Sequence, residues 1–302
     1  MKNVQVPQQL FMKLLRYHLL DDDSCADDVK KGLEQKMNTM VERELYTKSK
    51  TAPTEEEREK SRQEYLDRRK IRKATAVRFG MGASLDAWDV LLTAMTKKGY
   101  TKSELLDAGL VVQNKNGGLY DKFRNRLMLP VIDTRGDVVA FGSRVLDKSE
   151  PKYMNSSETP VYSKRRVLYG LNLAKKSKRP NIILCEGNLD IVTLHQAGFD
   201  NAVASMGTAL TVEQTRLLSR FTKELVLCYD NDNAGKIATE RALQILNGSE
   251  FSVKVLQLPR RLVDGEYIKQ DADDFIKLQG PDAFERLLNG SENGVEFRMA
   301  QI

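Results

Sequence analysis

The stretch Ile182-Ile183-Leu184-Cys185-Glu186-Gly187-Asn188-Leu189-Asp190 ends an apolar run on an acid and a glycine, then passes into a helical pattern. Leu225-Val226-Leu227, followed by Tyr229-Asp230-Asn231-Asp232-Asn233-Ala234-Gly235, repeats the arrangement. Spacing predicts strands at 181–185, 201–205, 225–229 and 252–258, and helices at 189–198, 211–221 and 234–247. Strands and helices alternating at these lengths imply an α/β fold with a mostly parallel sheet and helices on both faces. Ligands of such sheets sit at the carboxyl ends of the strands. Glu186, Asp230 and Asp232 fall there, as does the loop Ser205-Met206-Gly207-Thr208. Two carboxylates ~4 Å apart repel by about 4 kcal/mol at an effective dielectric of ~20. Gathering them at one edge therefore favours divalent cations, and hard oxygen ligands suit Mg²⁺ or Mn²⁺.

Outward from this core, Asp271-Ala272-Asp273-Asp274-Phe275 forms a third acidic pattern, and Pro281 opens a helix from Asp282 to Asn289. Upstream, residues 127–132 and 138–142 predict a hairpin around Asp133-Thr134-Arg135-Gly136-Asp137, with a further strand pair flanking Asn116-Gly117-Gly118. Residues 1–50 read as helical. Leu10, Phe11, Leu14, Leu15 and Leu19 give one apolar stripe, Leu33, Met37, Met40, Val41 and Leu45 another, and Asp21-Asp22-Asp23-Ser24 a turn between them. Thr54 and Glu57 have capping-box spacing for a third helix to about Arg69, whose charges read as a solvated face, with a partner-binding helix as the alternative.

The chain has 302 residues, 41% hydrophobic and 30% charged, within the range of folded globular proteins. No apolar run approaches the ~20 residues of a membrane span, and Met1–Leu10 lacks a secretory pattern, so a cytoplasmic protein without membrane partners is expected. Three cysteines and two histidines provide neither a disulfide framework nor a zinc-ribbon spacing. Cys185 and Cys228, inside apolar runs, read as buried small hydrophobes. Net charge is +6, unevenly spread: residues 65–180 carry 24 Lys+Arg against 11 Asp+Glu, residues 181–302 carry 12 against 18. A basic middle beside an acidic end suits an enzyme acting on a polyanion, although a basic surface alone would also be a solvated face.

Individual acids have plainer readings. Asp190 could compensate charge at a helix N-terminus, and Asp232 could be an N-cap. Asp230 has no such role, since a cap needs only one of the pair.

Taken together, Glu-Gly-x-x-Asp, Asp-x-Asp-x-Ala-Gly and Asp-x-Asp resemble the TOPRIM domain of primases, topoisomerases and some nucleases. The central region is similar to bacterial DnaG-type DNA primases. The segments carrying that likeness are Arg78-Phe79-Gly80-Met81-Gly82, Trp88-Asp89, Phe123 to Pro130, Gly142 to Leu146, Pro151 to Thr159, Leu168 to Leu171 and Ala204 to Thr211. The resemblance runs from about Tyr65 to the end. It implies an N-terminal helical segment (1–64), a smaller α+β basic subdomain of the catalytic core (65–180), a TOPRIM domain (181–280) and the start of a truncated C-terminal helical subdomain (281–302).

By this resemblance Glu186, Asp230 and Asp232 would be catalytic. Two or more Mg²⁺ or Mn²⁺ ions would be held by these three with Asp190, Asp271 and Asp273. Arg124, Arg126, Arg144, Lys152, Tyr153, Asn155 and Lys164 would contact nucleic acid or nucleotide. The implied activity is synthesis of short RNA primers on single-stranded DNA from ribonucleoside triphosphates. The family places an aromatic residue at Asn188, Gly at Asn231 and Pro at Ala272, departures that remove no carboxylate. The family's zinc-binding and helicase-binding domains have no counterpart in these residues, so partnership with the replicative helicase is left open. A TOPRIM nuclease and a catalytically silent nucleic-acid-binding module of a mobile element are the alternative readings.

Overall fold

The computed structural model describes residues 6–19, 22–37, 70–145, 150–207, 209–263 and 266–293. It divides into two units, residues 1–69 and 70–302.

In the first unit, α1 (Gln8–Leu19) is followed by a short 3₁₀ turn, Asp23–Cys25, and by helical residues 26–37, here α2. Asp22 caps the turn, its Oδ1 accepting the Ser24 amide at 3.1 Å. Leu10, Cys25 and Val29 are buried and Lys13 pairs with Asp28 at 2.6 Å. The expected apolar stripe is thus only partly used: Phe11, Leu19, Leu33 and Met37 face outward, because so small a helical unit covers little more than one row of side chains. Met40, Val41, Leu45 and the helix expected from Thr54 lie outside the described residues.

The second unit begins with α3 (Lys73–Arg78), β1 (Gly82–Ala83), α4 (Val90–Lys97) and α5 (Lys102–Asp107). Strands β2 (Val111–Gln113) and β3 (Leu119–Asp121) form the expected small hairpin. β4 (Arg126–Ile132) and β5 (Val138–Val145) pair antiparallel from Arg126↔Val145 inward. Asp133 closes their turn by accepting the amides of Arg135, Gly136 and Asp137 at 2.8, 3.0 and 3.0 Å. With β6 (Tyr153–Asn155) they make a four-stranded sheet of order β1-β4-β5-β6.

After α6 (Leu171–Ala174) the alternation follows the expected order: β7 (Asn181–Cys185), α7 (Asn188–Gln196), β8 (Ala202–Ala204), α8 (Val212–Leu218), β9 (Glu224–Leu227), α9 (Asn233–Leu246) and β10 (Ser252–Val255). β7 lies between β8 and β9, β10 beside β9, all parallel. Ile182, Leu184, Leu225 and Leu227 pack with Leu218, Leu243 and Leu246 in one cluster. Ile183 and Val226, pointing the other way, are also fully buried, so both sheet faces are covered. Cys185 and Cys228 are buried free thiols, Cys228 just past the end of β9.

A short hairpin, β11 (Arg261–Val263) and β12 (Glu266–Ile268), leads to α10 (Ala272–Gln279) and α11 (Pro281–Asn289). β13 (Glu292–Asn293) then adds antiparallel to β10. The described residues from 281, expected to begin a C-terminal helical subdomain, pack against the preceding elements. Phe284 is fully buried against Phe199 and Phe275, with ring centroids 4.7 and 6.1 Å away, and β13 completes the sheet.

Asn155 of β6 reaches the other sheet, its Nδ2 donating to the Met206 carbonyl just past β8 at 3.0 Å, and Tyr169, outside both sheets, exchanges backbone hydrogen bonds of 2.9 and 3.0 Å with Ala204 of β8. Among the described residues, no helix is long and apolar enough to cross a membrane.

Candidate metal and nucleotide site

The carboxyl ends of β7 and β9 deliver Glu186 and Asp230, and the N-terminus of α10 delivers Asp271, Asp273 and Asp274. All five line one open cavity of about 520 Å³, together with Asp190, Gly207, Lys269, Arg144, Lys152, Tyr153 and Asn155. The four-stranded sheet therefore supplies the basic wall and the five-stranded sheet the acidic one.

Two glycines permit the close approach. A Cβ on Gly187 would fall 2.5 Å from Asp190 Oδ2. One on Gly235 would fall 1.9 Å from the Asp230 carbonyl oxygen, so only glycine lets the first turn of α9 pack against the Asp230 backbone.

Asp232 is the N-cap of α9, its Oδ1 accepting the Gly235 amide at 2.8 Å, which leaves Oδ2 for another partner. That partner is Lys269, whose Nζ lies 2.9 Å from Asp232 Oδ2 and 2.5 Å from Asp230 Oδ2. The Asp230 amide approaches Glu186 Oε1 at 3.4 Å. Asp271 caps α10 through the Asp274 amide at 2.8 Å. Asp273 Oδ2 pairs with Lys277 at 2.5 Å, while its Oδ1 accepts the Thr193 hydroxyl. Asp190 is buried and accepts the Gly187 and Asp273 amides, both at 3.2 Å.

The electrostatics follow from this crowding. Burial, then the Asp230 charge, raises the Glu186 pKa. Burial, then Asp271 and Asp230, pushes Asp190 well above the carboxylate range, and burial also raises Asp271. Asp232 moves the other way, held down by the Gly235 amide and by Lys269. Burial works against the charge on Lys269, but its two aspartates outweigh that and raise its pKa.

One expectation changes in detail. Among the described residues, the trio whose oxygens lie within 4.8 Å of one another is Asp271, Asp273 and Asp274. Asp230 and Asp232 instead flank an ammonium, because Lys269 occupies the space between them, while Glu186 faces the Asp230 amide. A divalent cation suits this donor set on two grounds. The donors are hard carboxylate oxygens, with the pKa values of Glu186 and Asp271 raised chiefly by burial, and a positive group already sits between two of them.

The basic residues separate into three kinds. Arg144, Lys152, Tyr153 and Asn155 line the cavity, and the cations of Arg144 and Lys152 stand 5.2 and 5.5 Å from the Tyr153 ring. Arg124 and Lys164 do not line it. Arg124 lies 4.2 Å over the Trp88 ring and 5.0 Å from that of Tyr120, while Lys164 lies near Lys122, whose pKa is lowered by burial and then by that neighbour. Arg126 is buried, and its Nη2 donates to the Pro151 carbonyl at 2.9 Å, a contact that braces the sheet. Asn155 is partly committed too, through its bond to Met206. Thr208 of the expected loop lies outside the described residues.

Sequence reasoning passed over Lys269, Asp274 and Trp88 as site residues. Asp274 was visible as a third acid in its pattern. Trp88 is the chain's single tryptophan and is 65% exposed, a rare position for so large an apolar ring.

Residues 44–175 match the family described as the DNA primase catalytic core, N-terminal domain, and residues 183–276 match the Toprim-like family. The chain is 45% identical over 241 residues to the DNA primase of Clostridium acetobutylicum, covering 80% of this chain and 39% of that protein. It is 38% identical over 232 residues to that of Escherichia coli K12, covering 74% and 38%. The chain thus spans about two fifths of the length of these relatives. Among solved structures, the E. coli primase catalytic core superimposes with a TM-score of 0.71 at 35% identity, covering 79% of this chain and 75% of that one. A DnaG primase catalytic domain bound to single-stranded DNA gives 0.69 at 35% identity, covering 76% and 71%.

Proposed function

The chain belongs to the DnaG-type primase catalytic-core family, and from that premise we propose that it is a nucleotidyltransferase core making short RNA primers on single-stranded DNA. The observation that supports this most directly is the single cavity with a basic wall and an acidic wall. A nucleoside triphosphate needs both: cationic side chains for its phosphates and carboxylates for the ions it carries.

In this reading Arg144 and Lys152 orient the triphosphate, and Tyr153 offers a ring face beside them for a base. Asp230, Asp232, Asp271 and Asp273, with Glu186, hold two Mg²⁺ or Mn²⁺ ions. When bound, these ions would supply activation of the attacking 3′-hydroxyl and stabilisation of the departing pyrophosphate. Glu186, with its raised pKa, is suited to take the proton of that hydroxyl at Oε1 or Oε2. Asp190 fixes the starts of α7 and α10 through two backbone amides, and so positions Gly187 and Asp273. The template approaches across the basic face that includes Arg124, Lys122 and Lys164.

Primer synthesis on a defined single-stranded template, compared between wild type and Asp232→Asn, tests the proposal. Asn caps a helix as well as Asp does, so the fold is kept while one metal-facing charge is lost. Abolished synthesis with an unchanged melting temperature is the expected result. Near-normal synthesis by the variant would overturn the assignment, and Mg²⁺-dependent DNA cleavage without incorporation would replace it with a hydrolytic one.

A further inference from the structure

Asp230 and Asp232 face each other across a positive charge that the chain itself provides. Lys269 Nζ is within charge-assisted bonding distance of both, 2.5 and 2.9 Å, and its side chain remains 48% exposed. It stands between β12 and α10, just before the acids Asp271, Asp273 and Asp274. It also lines the same cavity as Arg144 and Lys152.

An ammonium and a metal ion cannot share the space between two carboxylate oxygens. Any ion bridging Asp230 and Asp232 must first displace Lys269. The displaced group has somewhere to go, because a four-carbon stem on a half-exposed residue can swing. The cavity it would face, about 520 Å³, is of the size that holds small-molecule ligands and already presents two other cations. Lys277 offers a contrast: it pairs with Asp273 one helical turn away on the same helix and is only 22% exposed, a local contact with little freedom.

We propose that Lys269 is a tethered cation that closes the Asp230–Asp232 pair in the metal-free protein, is displaced by a divalent ion, and then contacts the phosphates of a bound nucleoside triphosphate. This rests on the reading of the cavity as a metal and nucleotide site. Metal loading and nucleotide capture become coupled through one side chain, since the ion that frees Lys269 also creates a third phosphate contact.

The two halves of the proposal predict opposite signs. Mn²⁺ binding, followed by paramagnetic resonance of the free ion without nucleotide or template, should be about fivefold tighter in Lys269→Ala and Lys269→Gln than in wild type. Binding of a non-hydrolysable ATP analogue at saturating Mn²⁺ should be weaker in both variants by a similar factor. Lys223→Ala, which breaks an exposed pair with Glu250, should change neither. Unchanged or weaker Mn²⁺ binding in both Lys269 variants would overturn the proposal, as would metal and nucleotide affinities moving in the same direction, which is what a purely structural role would give. Neither readout needs turnover. Opposite shifts in a protein that makes no primers would keep this inference and remove the polymerase assignment.

Discussion

The Asp190 carboxylate accepts the backbone amide of Asp273 at 3.2 Å, joining the first acidic motif to the third across 83 residues of sequence. Its other oxygen holds the Gly187 amide at the same distance. Asp190 is therefore a bracket between α7 and α10 in addition to an acid of the cavity. Asp190→Ala would strip two partly buried amides of their acceptor, costing about 1–3 kcal/mol for each one left unsatisfied. Asp190→Asn keeps one oxygen acceptor and should cost less. Urea denaturation of the two variants distinguishes these outcomes, and wild-type stability in the alanine variant would contradict the bracket.

Burial, and after it the field of neighbouring acids, raises the pKa values of Glu186, Asp190 and Asp271 in the metal-free protein. An acid that holds its proton more tightly when folded adds stability below its unfolded pKa, and that contribution is lost as the pH rises through the folded value. The metal-free protein thus forfeits these contributions between about pH 4 and its raised folded values, and a bound cation offsets the resulting repulsion. Saturating Mg²⁺ should raise the melting temperature more near pH 8 than near pH 5. Equal shifts at the two pH values would show that these acids do not titrate where the ion binds.

Gly235→Ala should damage both fold and site. A methyl group 1.9 Å from the Asp230 carbonyl oxygen forces the first turn of α9 away from that backbone. Overpacking of this kind costs about 1–3 kcal/mol. The displacement moves Asp230 and Asp232 together, so calorimetric Mn²⁺ affinity should fall even at temperatures where the variant is fully folded.

Across β4 and β5 Arg126 pairs with Val145 and Arg144 with Leu127, so the two arginines lie on opposite faces of the sheet and their substitutions should give different phenotypes. Arg126→Ala removes the donor to the Pro151 carbonyl from a buried site and should lower the melting temperature. Arg144→Ala should leave stability nearly unchanged and weaken single-stranded DNA or triphosphate binding. If Arg144 meets one phosphate, the slope of log affinity against log salt should fall by about 0.7 for a single strand. Fluorescence titration over a salt series measures it.

The parallel sheet was legible because Ile182-Ile183-Leu184 and Leu225-Val226-Leu227 are too apolar to be half-exposed and each is followed by helical spacing. Strand ends were less so. The expected 252–258 shrinks to 252–255, although Leu256 and Leu258 are buried. Hydrophobicity reports burial, and a residue can be buried after it has left the ladder. At the site, acids at strand ends were readable since few other roles explain paired carboxylates. Lys269 was not, because one lysine on a connecting segment looks like surface charge until the fold brings it between Asp230 and Asp232. The burial of Arg126 was hidden for the converse reason: nothing in Arg-Asn-Arg shows which guanidinium turns inward.

β13 is two residues long, yet it lies against β10 through Lys254↔Asn293 and Val255↔Glu292 and so forms the selvedge of the larger sheet. A chain stopped at Gly290 would keep every acid of the cavity but bare the outer amides and carbonyls of β10 to any other extended chain. Such a fragment should keep the cavity yet be prone to self-association, an outcome that light scattering of the truncated protein would check.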